Sequence, residues 1–334
     1  MKSINHKLII LLTFVSIAPG VAIAKEYYPK AIVKLDDYFA HHVLVAEKST
    51  HKLYLFGNSN GFPKLVKTYK MATGKKAGDK IFSGDHRTPE GVYFIKDFLP
   101  HRELINRSGK KGEMYGVGAF VLDYPNPIDL HWDKTGWGIW LHSTNDEARI
   151  EKGLDSRGCV VTANRQLIDI AKYIELHRTP MIIVHDLNWL SEVAWKHNKN
   201  NIEKMVDAWI KAWQREDFAA YKNSYHRDFK DRIRGNLSKF LAYKKAVFLQ
   251  AGNPQIFHDH QSILQGKDYA VVTFRQNYVS NTIKDIGKKT LYLKKDKFYN
   301  WKIFAEIWSK AGIGVSDADN EVAFRPSMRF FKTN

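Results

Sequence analysis

The segment from Gly136 to Ile174 places a strand pattern, a glycine-containing turn and a helical pattern in immediate succession. It also contains Cys159, the single cysteine among the 334 residues of the chain. The run GWGIWLH predicts a strand that ends at His142, and Ser156 to Cys159 form a turn before the helical pattern TANRQLIDIAKYI. A cysteine on such a turn lies beside backbone N–H groups, which can hold the oxyanion of a tetrahedral intermediate. The segment therefore has the outline of an acyl-transfer site.

The chemistry of Cys159 and His142 supports two interpretations. A free thiol has a pKa of about 8.5, so a nucleophilic cysteine needs a base or positive dipoles beside it. His142 and the turn offer both, and they predict a thiol whose pKa is below that of a free cysteine. Alternatively, a lone cysteine is often a small buried apolar residue, and a lone histidine at a strand end is often structural.

The first 24 residues have the pattern of a signal peptide that is cleaved after Ala24. Lys2 and Lys7 precede an apolar run from Leu8 to Ala18. That run fits the roughly 7–15 residues of a signal peptide and is shorter than the ~20 residues that span a bilayer. The mature chain is therefore expected to be exported, without a transmembrane anchor. An unpaired thiol is a liability in an oxidising compartment, so export favours the catalytic interpretation of Cys159.

The same segment resembles the signature of the YkuD family, the L,D-transpeptidase catalytic domain of bacterial cell-wall enzymes. The matching pattern is His142, an intervening stretch and then SRGCV at residues 156–160. Further matching blocks are TPEGVY at 88–93, YPN at 124–126 and GIWLH at 138–142, so the resemblance covers about residues 40 to 186. Two positions depart from the family pattern, because Ser143 replaces a usual glycine and Val161 replaces an arginine that many members carry. The second departure concerns how the substrate carboxylate is held.

The resemblance implies Cys159 as the nucleophile, His142 as the base and peptidoglycan stem peptides as the substrate. Backbone N–H groups of Arg157, Gly158 and Cys159 are the candidates for the oxyanion hole. The orienting partner of His142 stays open between a backbone carbonyl and Ser156. Substrate contacts are expected from five further residues, namely His86, Tyr124, Asn126, Trp132 and Ser143.

The net charge of +17 bears on which partners are expected. A basic chain can bind nucleic acid, but an exported protein meets the anionic cell wall and membrane surfaces instead. We therefore expect retention at the wall and no nucleic-acid partner. His41, His42 and His51 lack the clustered spacing of metal ligands, and the glycine- and lysine-containing segment 74–95 lacks the strand–loop–helix order of a phosphate loop. Neither a metal nor a cofactor is expected.

The order of strand and helix patterns predicts a mostly β catalytic domain followed by an α+β domain. Residues 25–40 are expected to form a leader, and residues 41–186 a β-sandwich of the YkuD type with a helix after the cysteine. Within it, residues 97–118 predict a long loop or short helix over the substrate groove. Residues 187–201 are polar and predict a helix or linker between the domains.

The C-terminal half begins with a helical stripe of Met205, Trp209, Ile210 and Trp213 and continues into antiparallel strand patterns. Helices followed by a curved sheet over residues 202–310 resemble the NTF2-like cone. The domain shows no nucleophile–base pair, so we expect it to bind the wall or a protein partner. A fragment ending near Asp186 should then, if stable, still cleave soluble muropeptides but bind sacculi less well. Residues 311–334 predict a tail that packs back onto a domain or docks a partner.

This two-domain layout resembles the periplasmic L,D-carboxypeptidases that set the shape of curved and helical Gram-negative bacteria. It implies periplasmic removal of the terminal D-alanine from tetrapeptide stems, at the bond after meso-diaminopimelate. Two alternatives stay open. The first is a transpeptidase that forms 3-3 cross-links or attaches proteins to the wall, and the second is a non-catalytic protein that binds peptidoglycan.

Overall fold

The computed structural model describes residues 26–314 and 324–331. The predicted signal peptide, residues 1–24, lies outside the described residues. Two large sheets organise the fold, one of eight strands and one of five. In the described part of the chain, no helix is both long and apolar enough to cross a membrane.

The N-terminal half of the chain is built on the eight-stranded sheet. In chain order the strands up to residue 191 are β1 (Tyr27–Pro29), β2 (Ile32–Lys34), β3 (His42–Glu47), β4 (Lys52–Ser59), β5 (Phe62–Lys70), β6 (Thr73–Gly74), β7 (Gly91–Pro100), β8 (Gly118–Leu122), β9 (Trp140–His142), β10 (Leu154–Ser156), β11 (Val160–Val161), β12 (Pro180–Val184) and β13 (Trp189–Ser191). The large sheet has the order β11-β9-β8-β7-β12-β3-β4-β5, and β10 pairs with β6 beside it. The mostly β class of this half is confirmed.

The same half of the chain also contains four short α-helices and one 3-10 helix. They are α1 (His101–Ser108), the 3-10 helix Gly109–Tyr115, α2 (Pro127–His131), α3 (Ala148–Glu151) and α4 (Asn164–Ala171). The helix predicted after the cysteine is α4, and it packs Leu167 and Ile170 against one face of the sheet. The segment predicted as a long loop or short helix is largely helical, since α1 and the 3-10 helix fill most of it.

The C-terminal half follows the predicted order of helices and then a sheet. Its helices are α5 (Glu192–Gln214), α6 (Phe218–Asn223) and α7 (Leu237–Ala251), and its strands are β14 (Lys230–Asp231), β15 (Gly235–Asn236), β16 (Gln255–Gln265), β17 (Tyr269–Val279), β18 (Lys284–Lys295) and β19 (Trp301–Ser309). The predicted stripe of α5 is confirmed, since Trp209, Ile210 and Trp213 are buried against the sheet.

Two segments next to the domain boundaries form regular structure. The segment predicted as a leader contributes β2, whose Ile32 pairs with Leu264 at the edge of the five-stranded sheet. The segment predicted as a helix or linker contributes β13 and the first turns of α5, where the buried Trp195 indole donates to the Ile32 carbonyl at 2.8 Å. Strand pairing with a distant part of the chain therefore gives both segments their structure.

The two sheets pack against each other through one apolar cluster, and each has a separate cluster on its other face. Alternate residues of a strand point to opposite faces, so Met181 and Ile183 face α4 while Ile182 faces the five-stranded sheet. That second face packs against Tyr269 and Phe304 of the C-terminal half. A large apolar interface of this kind disfavours independent movement of two domains. It also opposes the prediction that a fragment ending near Asp186 keeps the activity.

The described part of the C-terminal tail returns to the N-terminal half. Phe330 and Phe331 lie 5.0 and 5.2 Å from the Phe98 ring, measured between ring centroids. Phe324 stacks on His41 at 3.6 Å. The tail thus packs back onto a domain, which is one of the two predicted alternatives.

Candidate active site

Cys159 and His142 lie on neighbouring strands and line the same cavity. Strands β9 and β11 pair in parallel, with Val160 opposite Leu141 and Val161 opposite His142. Cys159, one residue before β11, therefore lies level with Trp140. The cavity has a volume of about 460 Å³. Its wall combines the cysteine and histidine with Lys75, Tyr115, Arg149 and Arg157.

A backbone carbonyl orients the His142 ring. Nδ1–H donates to the carbonyl oxygen of Ser143 at 2.5 Å, and this fixes the tautomer in which Nε2 can accept a proton. The Ser143 side chain is held in turn, since its Oγ accepts from the Val117 N–H at 2.8 Å. The Tyr115 ring packs edge-on against the imidazole at 5.0 Å. Of the two orienting partners left open by the sequence, the structure contains the backbone carbonyl.

The turn before the nucleophile is closed by the Ser156 side chain. Its Oγ donates to the Cys159 carbonyl at 2.6 Å and accepts the Gly158 N–H at 3.0 Å. Gly158 has a φ of +130°, and a Cβ at this residue would lie 2.8 Å from the Arg87 carbonyl oxygen, so only glycine fits.

This hydrogen bonding corrects the predicted oxyanion hole. The Gly158 N–H is already used within the turn, so it is not available to a substrate oxygen. The N–H groups of Arg157 and Cys159 donate to no acceptor in the described part of the chain, and they remain the candidates. Ser156 thus shapes the turn and does not touch His142.

Burial favours the neutral form of the Cys159 thiol, whereas the sequence predicts a pKa below that of a free cysteine. Burial raises the pKa of Cys159 to about 11, against smaller opposing effects of the Trp140 N–H and the Arg157 guanidinium. Sγ lies 3.5 Å from the Gly138 carbonyl oxygen, which accepts the thiol proton. Burial also lowers the pKa of His142 to about 4. The pair is therefore a neutral thiol beside a neutral base, and the thiolate has to form by proton transfer to His142.

Cationic side chains surround the cavity, and they differ in how they are held. The Arg149 Nε–H donates to Asp155 at 2.5 Å and Nη1 donates to the Thr144 hydroxyl at 3.2 Å, so this guanidinium is fixed and neutralised. Lys75 and Arg157 form no ion pair with another described residue. They are available to carboxylates of a ligand.

Comparison with known proteins identifies both halves of the chain. The L,D-transpeptidase catalytic domain YkuD matches residues 41–183, and the Cds6 C-terminal NTF2-like domain matches residues 201–307. The chain joins a YkuD domain to an NTF2-like domain. The predicted resemblance to both is confirmed.

Two solved structures share this two-domain fold. Bd1075 of Bdellovibrio bacteriovorus is 29% identical, with a TM-score of 0.73 over 85% of this chain and 99% of that chain. The helical cell shape determining protein Pgp2 of Campylobacter jejuni is 24% identical, with a TM-score of 0.65 over 82% of this chain and 94% of that chain. No curated protein sequence matches the chain.

None of the five residues expected to contact substrate lines the cavity of the YkuD domain. Asn126 is buried at the start of α2, where its Oδ1 accepts from the Ile128 and Asp129 N–H groups. Its amide nitrogen donates to the Val92 carbonyl and to the Tyr269 hydroxyl of the NTF2-like domain. All its hydrogen-bonding groups are thus used in the fold, which explains why it does not face a ligand.

The other four residues also have contacts within the protein. Tyr124 is buried and donates to the Thr135 carbonyl at 3.2 Å. Ser143 is buried behind the histidine, and the Trp132 ring lies under the Lys294 ammonium at 4.8 Å. His86 is half-buried on a loop, and its backbone carbonyl accepts a hydrogen bond from the Lys76 N–H at 3.2 Å.

Sequence reasoning missed the charged residues of the cavity. Arg149 and Asp155 lie in the stretch between the histidine and the cysteine, so their position in the sequence gave a signal. Tyr115 and Lys75 are distant in the sequence, and only the packing of the 3-10 helix and β6 against β9 and β11 brings them to the cavity. No group of three or more His, Cys, Asp or Glu side chains that could hold a metal ion occurs within residues 26–314 and 324–331.

Proposed function

We propose that the protein is an L,D-carboxypeptidase that removes the terminal D-alanine from tetrapeptide stems of peptidoglycan. The proposal rests on one observation. Cys159 and the oriented His142 line the same cavity as Lys75 and Arg157, two cations that form no ion pair with another described residue. The YkuD family acts on peptidoglycan stem peptides, whose carboxylates suit Lys75 and Arg157. The scissile bond is the one between meso-diaminopimelate and D-alanine.

The residues of the cavity can perform the reaction in two half-reactions. His142 Nε2 takes the thiol proton as Sγ attacks the carbonyl carbon of the L-centre, and the Arg157 and Cys159 N–H groups stabilise the oxyanion. Collapse of the intermediate breaks the C–N bond, and His142 gives the proton to the leaving amine of D-alanine. Water, deprotonated by the same histidine, then attacks the thioester and releases the shortened stem and the thiol.

Two features of the cavity support hydrolysis by water over transfer of the acyl group to the amine of a second stem. The 3-10 helix Gly109–Tyr115 carries Met114 and Tyr115 into the wall of the cavity and narrows the space for a second stem. Val161 is fully buried in place of the arginine that many family members carry, so carboxylate binding falls to Lys75 and Arg157. A transpeptidase has to admit a bulky amine and exclude water, whereas a hydrolase needs one donor groove.

The proposed place of action is the periplasm, because the substrate lies outside the cytoplasmic membrane and residues 1–24 have a signal-peptide pattern. Removing D-alanine changes which stems can be cross-linked, so we propose an effect on cell shape. The NTF2-like domain is proposed to contact the wall or a protein partner through surfaces that do not face the YkuD domain.

The deciding experiment is to incubate the purified protein with tetrapeptide-rich muropeptides and with sacculi, and to identify the products by mass. We expect tripeptide stems and free D-alanine, and no product from the Cys159→Ala variant. Dimers with 3-3 links as the main product would instead assign transpeptidation. Binding of sacculi without any product from the unaltered protein would refute catalysis and leave a wall-binding role.

A further inference from the structure

A buried ion pair lies in the loop that leads from β6 to β7. Lys80 Nζ lies 2.7 Å from Asp85 Oδ1, and the two side chains are 4% and 3% exposed. Taking two charges out of water is costly, so such a pair has to be well hydrogen-bonded to be stable. Neither residue lines the cavity that holds Cys159 and His142. The proposed reaction therefore gives this pair no direct role.

Asp85 is the centre of the hydrogen bonds in this loop. Its Oδ2 accepts from the Ile81 N–H at 2.7 Å and from the Phe82 N–H at 3.2 Å. Its Oδ1 accepts from the Arg87 N–H at 3.1 Å as well as from the Lys80 ammonium. Burial alone raises the pKa of Asp85, but the hydrogen bonds from Lys80 and the three backbone N–H groups outweigh burial and lower the pKa to about 2. The carboxylate is therefore ionised, and it joins the two sides of the loop.

The Arg87 side of the loop packs against the turn that carries the nucleophile. The Arg87 carbonyl oxygen lies so close to Gly158 that a Cβ on this glycine would be 2.8 Å from it. Between Asp85 and Arg87, His86 has a φ of +59°, which is uncommon for a residue other than glycine. The His86 carbonyl accepts from the Lys76 N–H at 3.2 Å. The hydrogen bond from the Arg87 N–H to Asp85 spans this constrained residue, so it fixes where the Arg87 carbonyl meets the turn.

The Lys80 side of the loop packs against a second segment beside the thiol. A Cβ on Gly136 would lie 3.2 Å from Lys80 Cε, so the lysine side chain passes close to the backbone at this glycine. Gly138, two residues further on, has the carbonyl oxygen that lies 3.5 Å from Cys159 Sγ. Burial is the main effect on the pKa of Cys159 and raises it, and Lys80 is among the cations that oppose this rise. The ion pair thus contacts, directly or through the loop backbone, both segments that hold the thiol.

We propose that Asp85, held by Lys80, is a positioning residue for the Cys159 nucleophile. The inference rests on the proposed function, because it takes Cys159 as the nucleophile of that reaction. Asp85 acts through the backbone that packs behind the Gly158 turn. A displacement of about 1 Å can lower a reaction rate about 100-fold. Without this carboxylate, the protein should remain folded while the thiol loses its alignment with His142.

The first test measures D-alanine release from a soluble tetrapeptide, at a temperature at which circular dichroism shows each variant to be fully folded. For Asp85→Asn, we expect kcat to fall about 10- to 100-fold and KM to stay within about 2-fold, because one accepting oxygen becomes an amide group that donates. Glu306→Gln is the matched control, since Glu306 and Lys289 form an ion pair of 3.2 Å in the NTF2-like domain, with side chains 7% and 5% exposed. This variant should lose stability but keep its kcat. An unchanged kcat for folded Asp85→Asn, or equal losses of kcat in both variants, would overturn the proposal.

The second test does not need the reaction, because it follows alkylation of Cys159, the single cysteine of the chain, by iodoacetamide at pH 8. Displacement of the turn should expose the thiol and move its pKa from about 11 towards that of a free cysteine. We therefore expect Asp85→Asn to be alkylated at least about 10-fold faster than the unaltered protein, and Glu306→Gln to be unchanged. The double variant Lys80→Met with Asp85→Asn leaves no unpaired charge and should be alkylated as fast as Asp85→Asn. Alkylation of the double variant at the unaltered rate would assign the effect to the Lys80 charge and overturn the proposal.

The two tests separate this inference from the proposed reaction. If alkylation changes as expected while the unaltered protein releases no D-alanine, the positioning role stands and the assigned reaction fails. If D-alanine is released but Asp85→Asn changes neither kcat nor the alkylation rate, the positioning role fails and the reaction stands. If Asp85→Asn alone does not fold, the double variant takes its place in both tests, with the same expected results.

Discussion

The hydroxyl of Tyr269 joins the NTF2-like domain to the YkuD domain, and its removal should destabilise both. It accepts hydrogen bonds from the Val92 N–H at 2.7 Å and from the Asn126 amide nitrogen at 3.2 Å. Gly91 makes room for it, because a Cβ at that residue would lie 2.7 Å from the hydroxyl oxygen. Tyr269→Phe keeps the ring and its packing but leaves two buried donors without an acceptor.

The expected loss follows from these two donors. A buried donor without a partner costs about 1–3 kcal/mol, so the variant should lose about 2–5 kcal/mol of unfolding free energy. That is a large part of the roughly 5–15 kcal/mol that stabilises a folded protein. In urea, followed by tryptophan fluorescence and circular dichroism, the midpoint should fall with little change in slope. Because the two domains share a core, we expect a single transition.

Tyr299→Phe is the matched control, since Tyr299 is 81% exposed and its variant should stay within about 0.5 kcal/mol of the unaltered protein. Two outcomes would refute the reasoning. A Tyr269→Phe midpoint equal to that of the unaltered protein would show that the hydroxyl bonds contribute nothing. Separate transitions of the two halves would show that the shared core does not couple them.

Three further predictions concern the turn, the thiol and the domain boundary. Gly158→Ala should lower the rate of D-alanine release more than about 100-fold, because the φ of +130° and the Arg87 carbonyl exclude a Cβ. Gly61→Ala is the control, because Gly61 has a φ of +85° but open space around it. This variant should lose only about 1 kcal/mol of unfolding free energy and no activity. Iodoacetamide should alkylate Cys159 at pH 7 at least about 100-fold more slowly than a free thiol, whose pKa is about 8.5, since the pKa of Cys159 is about 11. A rate inflection at or below pH 9 would contradict this. A chain that ends after Asp186 exposes the face of the sheet that carries Ile182. We therefore expect circular dichroism to show an unfolded chain or gel filtration to show aggregates. A soluble, active fragment would show that this half does not need the shared apolar cluster.

The sequence allowed the catalytic pair to be predicted because its signals are local. A strand ending at His142 and a glycine turn before Cys159 are patterns within a short stretch, and the resemblance to YkuD rests on the same stretch. The substrate-contact predictions depended on proximity in sequence to matched blocks. Asn126 and Tyr124 show why this is insufficient, since a polar side chain that satisfies the fold has no group left for a ligand.

The predicted pKa of the thiol and the predicted leader, residues 25–40, differ from the structure for another reason. The pKa of Cys159 depends on how completely the surrounding chain excludes water, which no spacing in the sequence reports. Strand β2 has three residues, and its partner Leu264 lies in the opposite half of the chain, so no local periodicity marks it. Long-range pairing and desolvation are the two properties that required the structure.

The position of β2 has a consequence for the order in which the chain can fold. The strand lies near the beginning of the chain, yet its partner β16 is synthesised only after the whole YkuD domain. A nascent chain therefore cannot complete the five-stranded sheet, and β2 lacks its strand partner, until β16 has been synthesised. Closing so long a loop is slow, and apolar strand edges stay exposed meanwhile. The first described residues of the chain thus reach their final structure only when strands of the C-terminal half are present.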